Sequence, residues 1–244
     1  MFASLTCQEE HACPPGSRTR LHALGVAGLL AVAMVLMLMT SVAAQARTKV
    51  LLVHGGAWIG GSPASMDPLR DQLRTHGIAS KSVSYRVDES GFIPAQVGRV
   101  RRAVRAEKKR GNRVILYGVS AGGHLSLALA ARGEVDGAVA IAPPTDLLTL
   151  LTVLGVVPAQ FGMSSLQAYQ MSPLRRLTKR AAPTLLLHGD GDRLVPLEHS
   201  EKYFVAARRY QRDVALITMH GVGHHSPPLT YQDRASKWIE HRMR

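Results

Sequence analysis

The sequence predicts an α/β protein: three layers built on a mostly parallel, doubly wound sheet of about six strands. Short apolar runs alternate with longer segments of helical periodicity, the rhythm of βαβ units. The runs are continuous rather than alternating apolar with polar, which suits strands covered by helices on both faces. The composition agrees. In 244 residues, 46% are apolar, 19% charged and 5% aromatic, which excludes collagen-like, coiled-coil and wholly disordered chains and provides for one sizeable core.

The first 46 residues read as a targeting segment. Residues 23–44 carry no charged side chain, Arg18 and Arg20 precede them, and Ala44-Gln45-Ala46 follows as a small-x-small site. This is the order of a secretory signal, with cleavage expected after Ala46. The stretch is also just long enough to span a bilayer, so an uncleaved signal anchored in the membrane through residues 23–44 is the alternative. Either reading exports residues 47–244, the single folded domain, to the periplasm or beyond, or leaves it held at the inner membrane. Twenty residues before the apolar run are many for such a segment, and a start further downstream is expected. Cys7 and Cys13 are the only cysteines, and both lie in this leader. A chain beginning at Arg47 would have no disulfide and no thiolate chemistry.

From there the expected strands are Val50–Val53, Ser82–Tyr85, Val114–Tyr117, Ala138–Ile141, Thr184–Leu187 and Val214–Thr218. Helices are expected over Pro68–His76, Pro94–Lys109, Gly123–Ala131, Leu197–Tyr210 and Tyr231–Arg242. Between Pro143 and Ala182 a proline-punctuated apolar insert offers material for a small lid. The charge is unusual: 30 Lys+Arg against 17 Asp+Glu, a formal +13. No nucleic-acid reader motif accompanies it, so no nucleic-acid partner is predicted. Arg99, Arg101, Arg102, Arg105, Lys108, Lys109 and Arg110 crowd one predicted helix but point around it, and they read as a solvated face.

Gly118-Val119-Ser120-Ala121-Gly122 joins a predicted strand to a predicted helix, the setting of a nucleophile elbow. The tight turn lifts the Ser120 hydroxyl clear of the backbone, and the flanking glycines let strand and helix approach. A serine needs a base to take its proton, and the base needs an acid to hold its tautomer. Both follow in chain order. Asp192 lies in the loop after the fifth strand, and His224 in Gly221-Val222-Gly223-His224 after the sixth. Asp190 is a rival acid that also suits turn capping. His225 is a rival base, but the Gly-x-Gly before His224 frees the backbone to aim that side chain. A metal site on His220, His224 and His225 lacks any recognised ligand spacing, and no metal or cofactor is expected. For the oxyanion of a tetrahedral intermediate, the donors would be the Ala121 N–H and the Gly55 and Gly56 N–H groups of His54-Gly55-Gly56-Ala57-Trp58. Trp58 either walls a substrate pocket or packs.

Together, His-Gly-Gly-x-Trp at His54–Trp58, Tyr85-Arg86, Gly-x-Ser-Ala-Gly-Gly-His-Leu at Gly118–Leu125, His-Gly-Asp-x-Asp-x-x-Val-Pro at His188–Pro196, and Gly-x-Gly-His at Gly221–His224 resemble the α/β-hydrolase superfamily. Within it they are similar to esterases and lipases of the hormone-sensitive-lipase type and to the kynurenine-formamidase-like group. The resemblance implies an α/β-hydrolase fold with a minimal cap, since the opening antiparallel strands and most of the cap of larger members are missing. It also implies a serine hydrolase acting on small-molecule esters with short acyl groups. Amidase, peptidase or thioesterase action on the same fold is the alternative. A catalytically idle protein that binds anionic surfaces is the reading from another class.

Overall fold

The computed structural model describes residues 47–87, 92–210 and 213–243. The leader expected over residues 1–46 lies outside them. The described elements are β1 (Thr48–Val53), α1 (Asp67–Thr75), β2 (Ser80–Val83), α2 (Ile93–Lys109), β3 (Arg113–Val119), α3 (Ala121–Ala130), β4 (Gly137–Ile141), α4 (Leu147–Val153), α5 (Ser165–Met171), β5 (Thr184–Gly189), α6 (Glu198–Arg208), β6 (Val214–Met219) and α7 (Gln232–Met243). The six strands form one sheet in the order β2-β1-β3-β4-β5-β6, and every pairing is parallel. All carboxyl ends therefore lie along one edge, where open α/β sheets place their sites.

Successive strand residues point to opposite faces, which divides the core in two. Leu51, Val53, Leu116, Ala138 and Leu186 pack on one side with Val97 of α2, Leu125 of α3 and Tyr203 of α6. Val50, Leu52, Ile115, Val139 and Leu187 pack on the other with Leu69 and Leu73 of α1 and Ala235 and Ile239 of α7. The helices follow from their own sequences. In α2, Pro94 opens the first turn, Ile93, Val97, Val100 and Val104 recur at helical spacing and are buried, and Lys108 and Lys109 complement the dipole at the end. Every residue of α3 is buried, so this helix has no polar face to offer. Truncating a fully buried Leu73 to alanine would cost about 2–5 kcal/mol.

Two expectations shift. The second strand is Ser80–Val83 rather than Ser82–Tyr85, ending where Val83 pairs with Val53. Tyr85 leaves the sheet because it has a better partner: its ring stacks on His54 with centroids 4.1 Å apart, and its hydroxyl donates to the His54 carbonyl at 2.6 Å. The insert between β4 and β5 folds as α4 and α5, each of seven residues, with 3-10 turns at Pro158–Phe161 and Pro173–Arg176. Asp146 caps α4, and Ser164 with Gln167 closes a capping box on α5. Leu147, Leu150, Leu151, Phe161 and Ala168 bury into the α2–α3 side of the core. No helix among the described residues is long and apolar enough to cross a membrane.

Candidate active site

Ser120 stands between the end of β3 and the start of α3 with φ +52°, a left-handed conformation that non-glycine residues avoid. Such strain costs on the order of 1–3 kcal/mol and persists only where the surroundings enforce it. Here they do. The Ser120 N–H donates to the Ile141 carbonyl at 2.8 Å, and its carbonyl accepts the His124 N–H at 3.0 Å. A Cβ on Gly118 would fall 2.2 Å from the Gly122 carbonyl oxygen, and one on Gly122 would fall 2.1 Å from that of Val53. The elbow is therefore as tight as its glycines permit.

The other two candidates reach Ser120 from neighbouring strand ends. Ser120 Oγ lies 2.9 Å from His224 Nε2, and His224 Nδ1 lies 2.6 Å from Asp192 Oδ2. A carboxylate can only accept, so Nδ1 carries the proton and Nε2 is left to accept from the serine. Asp192 is buried, and its Oδ1 accepts the Leu194 and Val195 N–H groups at 3.0 and 2.9 Å. Burial opposes its charged form, but hydrogen bonds from His188, His224 and the Val195 N–H outweigh that and hold the carboxyl well below the usual carboxylate range. The rivals are occupied elsewhere. Asp190 is exposed, pairs with His220 at 2.8 Å and accepts the Gly221 N–H at 2.7 Å. His225 is exposed and meets the edge of the His224 ring. Among the described residues no group of three His, Cys, Asp or Glu side chains could hold a metal ion.

Gly55 sits directly against the elbow: a Cβ there would lie 3.1 Å from the Val119 carbonyl oxygen and 3.4 Å from Ser120 Cβ. Gly56 has φ +114°, and a Cβ would fall 2.2 Å from the Gly60 carbonyl oxygen. Ala57 and Trp58 follow with φ of +50° and +65°. This strained loop is pinned from outside. Gln96 Nε2 donates to the Trp58 carbonyl at 2.7 Å, Tyr85 holds the His54 carbonyl, and the Gly60 N–H closes onto the Gly56 carbonyl at 2.8 Å. The N–H groups of Gly56 and Ala121 have no hydrogen-bond partner among the described residues, the condition for receiving an external oxyanion.

Trp58 is buried. Its Nε1 donates to His124 Nδ1 at 3.2 Å, and its ring meets the edges of His124 and Phe161. The packing that the sequence offered as one of its two roles is thus present. His124 Nε2 in turn faces the Met171 carbonyl at 3.2 Å, so the ring must be neutral, with its proton on Nε2. Burial is the chief reason its pKa falls to about 4, with Arg176 adding to the effect and the Met171 carbonyl opposing it. His188 supports the acid in a similar way. Its Nε2 faces the Val195 carbonyl at 2.8 Å and Asp192 Oδ2 at 3.3 Å, while Nδ1 accepts from Ser200 Oγ at 2.7 Å. Sequence reasoning did not single out His124, Tyr85 or Gln96 as supports. Beside His224 an open groove of about 600 Å³ is lined by Gly191, Arg193, Leu194 and His225.

Comparison with known proteins bears on family and fold. The BD-FAE family model matches residues 37–206. The esterase LipC of Mycobacterium tuberculosis is 26% identical over 216 aligned positions, which cover 72% of this chain and 52% of that protein. The chain therefore spans about half the length of this curated relative. Among solved structures, a thermophilic esterase of Thermogutta terrifontis with propionate bound superposes with a TM-score of 0.67 at 19% identity, covering 82% of this chain and 83% of that one. An acetyl ester-xyloside bifunctional hydrolase of Caldicellulosiruptor lactoaceticus gives 0.68 at 19% identity, covering 82% and 84%. At such identity the likeness is one of fold, and the fold is that of the α/β hydrolases.

Proposed function

The chain belongs to the BD-FAE family, and from that premise we propose that it is a serine hydrolase cleaving carboxylic esters with short acyl groups. The observation that carries the reading is the continuous relay from Ser120 Oγ through His224 to buried Asp192, set beside two unengaged backbone N–H groups.

In this scheme His224 Nε2 takes the Ser120 proton as Oγ attacks the ester carbonyl. The Gly56 and Ala121 N–H groups, with Gly55 alongside, receive the oxyanion, an interaction worth a few kcal/mol per donor in the transition state. Asp192 stays ionised and stabilises the imidazolium. His224 then protonates the departing alcohol, leaving an acyl-Ser120 ester. Water, activated by the same histidine, attacks this ester, and the carboxylic acid leaves as Ser120 regains its proton. The short acyl preference is supported by the insert between β4 and β5, whose two helices of seven residues each offer little cap for a long chain. The propionate held by the Thermogutta terrifontis relative points the same way.

The test is fluorophosphonate labelling. The wild-type protein should label stoichiometrically and Ser120→Ala should not; a folded wild type that fails to label defeats the proposal. Rates on p-nitrophenyl esters from acetate to palmitate should then fall as the acyl chain lengthens. We further propose that the leader exports the domain, which amino-terminal sequencing of the secreted protein would check by finding Arg47 first.

A further inference from the structure

Charge gathers at a second place that the chemistry above does not use. Arg101 and Arg105 of α2, Arg132 after α3 and Arg176 at the end of the Pro173–Arg176 turn line one open recess of about 650 Å³, with Glu134 as the one acid lining it. These side chains come from three separate stretches of chain. The fold thus assembles what the sequence showed only as one basic helix.

Of these four guanidinium groups, two reach the one carboxylate. Arg101 donates Nε and Nη2 to the two oxygens of Glu134 at 2.5 and 3.0 Å, and Arg132 Nε lies 3.7 Å from the same carboxylate. Arg105 and Arg176 have no acidic partner among the described residues. Arg105 is exposed, whereas Arg176 is half-buried and its Nε is fully buried without a hydrogen-bond partner. Among the described residues its Nη1 donates to the Gln170 carbonyl at 3.3 Å and toward Met171 Sδ at 3.7 Å. Burial, and then the proximity of Arg132 and Arg101, pull the Arg176 pKa below its ordinary value, with Glu134 opposing.

A merely solvated basic face needs none of this, because exposed cations lower their mutual repulsion by spreading into water. Here like charges converge, and a buried donor is left unmade. An anion with several acceptor oxygens would relieve the repulsion among the guanidinium groups that line the recess. Glu134 already occupies the fork of Arg101, and the donors that remain, on three arginines, outnumber what the two oxygens of a carboxylate can serve. A phosphate group offers three or four oxygens and close to two negative charges, and it matches guanidinium forks bidentately.

We propose that this recess binds a phosphate group, carried either by a small soluble molecule or by a lipid headgroup, independently of ester cleavage. The test uses the full chain at constant ionic strength, with sodium chloride making up the difference. Inorganic phosphate should bind saturably by calorimetry and raise the melting temperature. Arg105→Gln, at an exposed and unpaired position, should leave the fold intact and weaken binding about tenfold or more; Arg132→Gln should act alike. Lys109→Gln, on the same helix but outside the recess, should leave affinity within about twofold, and Ser120→Ala should bind as the wild type does. A parallel arm sediments the protein with phosphatidylcholine vesicles with and without phosphatidic acid. Binding in either arm that falls in Arg105→Gln supports the site and identifies its source. Absence of saturable binding in both arms, or an equal loss in Lys109→Gln, overturns it.

Discussion

The two halves of the candidate site are held by different forces. On the nucleophile side, the elbow at Ser120 and the loop from His54 to Gly60 combine positive φ angles with neutral, buried hydrogen bonds from Tyr85, Gln96 and Trp58. On the acid–base side, the loops carrying Asp192 and His224 are held by charge: one carboxylate gathers two backbone N–H groups and two imidazoles. Packing fixes donors that must not move during a reaction, whereas a carboxylate orients a ring that must change its charge. The first half should fail by steric displacement and the second by loss of charge.

The largest effect should come from the charged half. Asp192→Asn keeps the shape but offers His224 Nδ1 an amide in place of an anion, and kcat on p-nitrophenyl acetate should fall about 10³- to 10⁴-fold. Asp190→Asn, two residues away and exposed, should change it less than about threefold. A greater loss at Asp190 would reassign the acid. Next comes the packed half. Gly56→Ala forces a side chain to within 2.2 Å of the Gly60 carbonyl oxygen, so the Gly56 N–H must shift, and kcat should drop about 10²-fold with KM nearly constant. If KM rises instead while kcat holds, Gly56 is a binding contact rather than an oxyanion donor.

These contrasts explain how much the sequence disclosed. The alternation of apolar runs with helical segments carried the six-strand parallel sheet. The glycines around Ser120 and His224 marked turns whose purpose is local, and so visible in a short string of letters. Asp192 was distinguishable from Asp190 only by the register of one loop, which the structure resolves by burying one and exposing the other. The supports were invisible for a physical reason. Trp58 meets His124 across 66 residues and Tyr85 meets His54 across 31, and no local spacing encodes such pairs. Tyr85 also carried a strand-like signal, which is why the second strand was expected two residues late. Likewise, Arg101 and Arg105 gain their meaning only beside Arg132 and Arg176.

Tyr85→Phe tests the packed half more gently. It removes only the hydroxyl that serves the buried His54 carbonyl, and the unmet acceptor should cost about 1–3 kcal/mol. For a domain of this size that is a melting-temperature loss of roughly 2–4 °C per kcal/mol, readable by calorimetry. The rate should fall only a few-fold, because Gln96 and the Gly60 N–H still hold the loop.

The last contrast separates the halves by pH. His124 is neutral in the fold, its pKa depressed from 6.5 to about 4, and His199 is depressed to about 4 as well, mainly by burial. Between these values the unfolded chain binds protons that the folded chain refuses, so stability must fall as pH drops from about 6.5 to 4. At the upper limit His124 alone accounts for roughly 3 kcal/mol of that loss. Asp192 acts in a lower window: its carboxyl titrates below the ordinary 3.8, so its contribution persists through this range and disappears only under stronger acid. His124→Gln can still donate to the Met171 carbonyl and accept from Trp58, but it cannot titrate. Urea unfolding of this variant between pH 7 and 4 should give a visibly flatter stability curve than the wild type, the residual slope belonging to His199 and to His54, whose pKa burial also lowers. Equal slopes would mean that His124 takes up its proton without disturbing Trp58, and the packed half would then not be the acid-sensitive one.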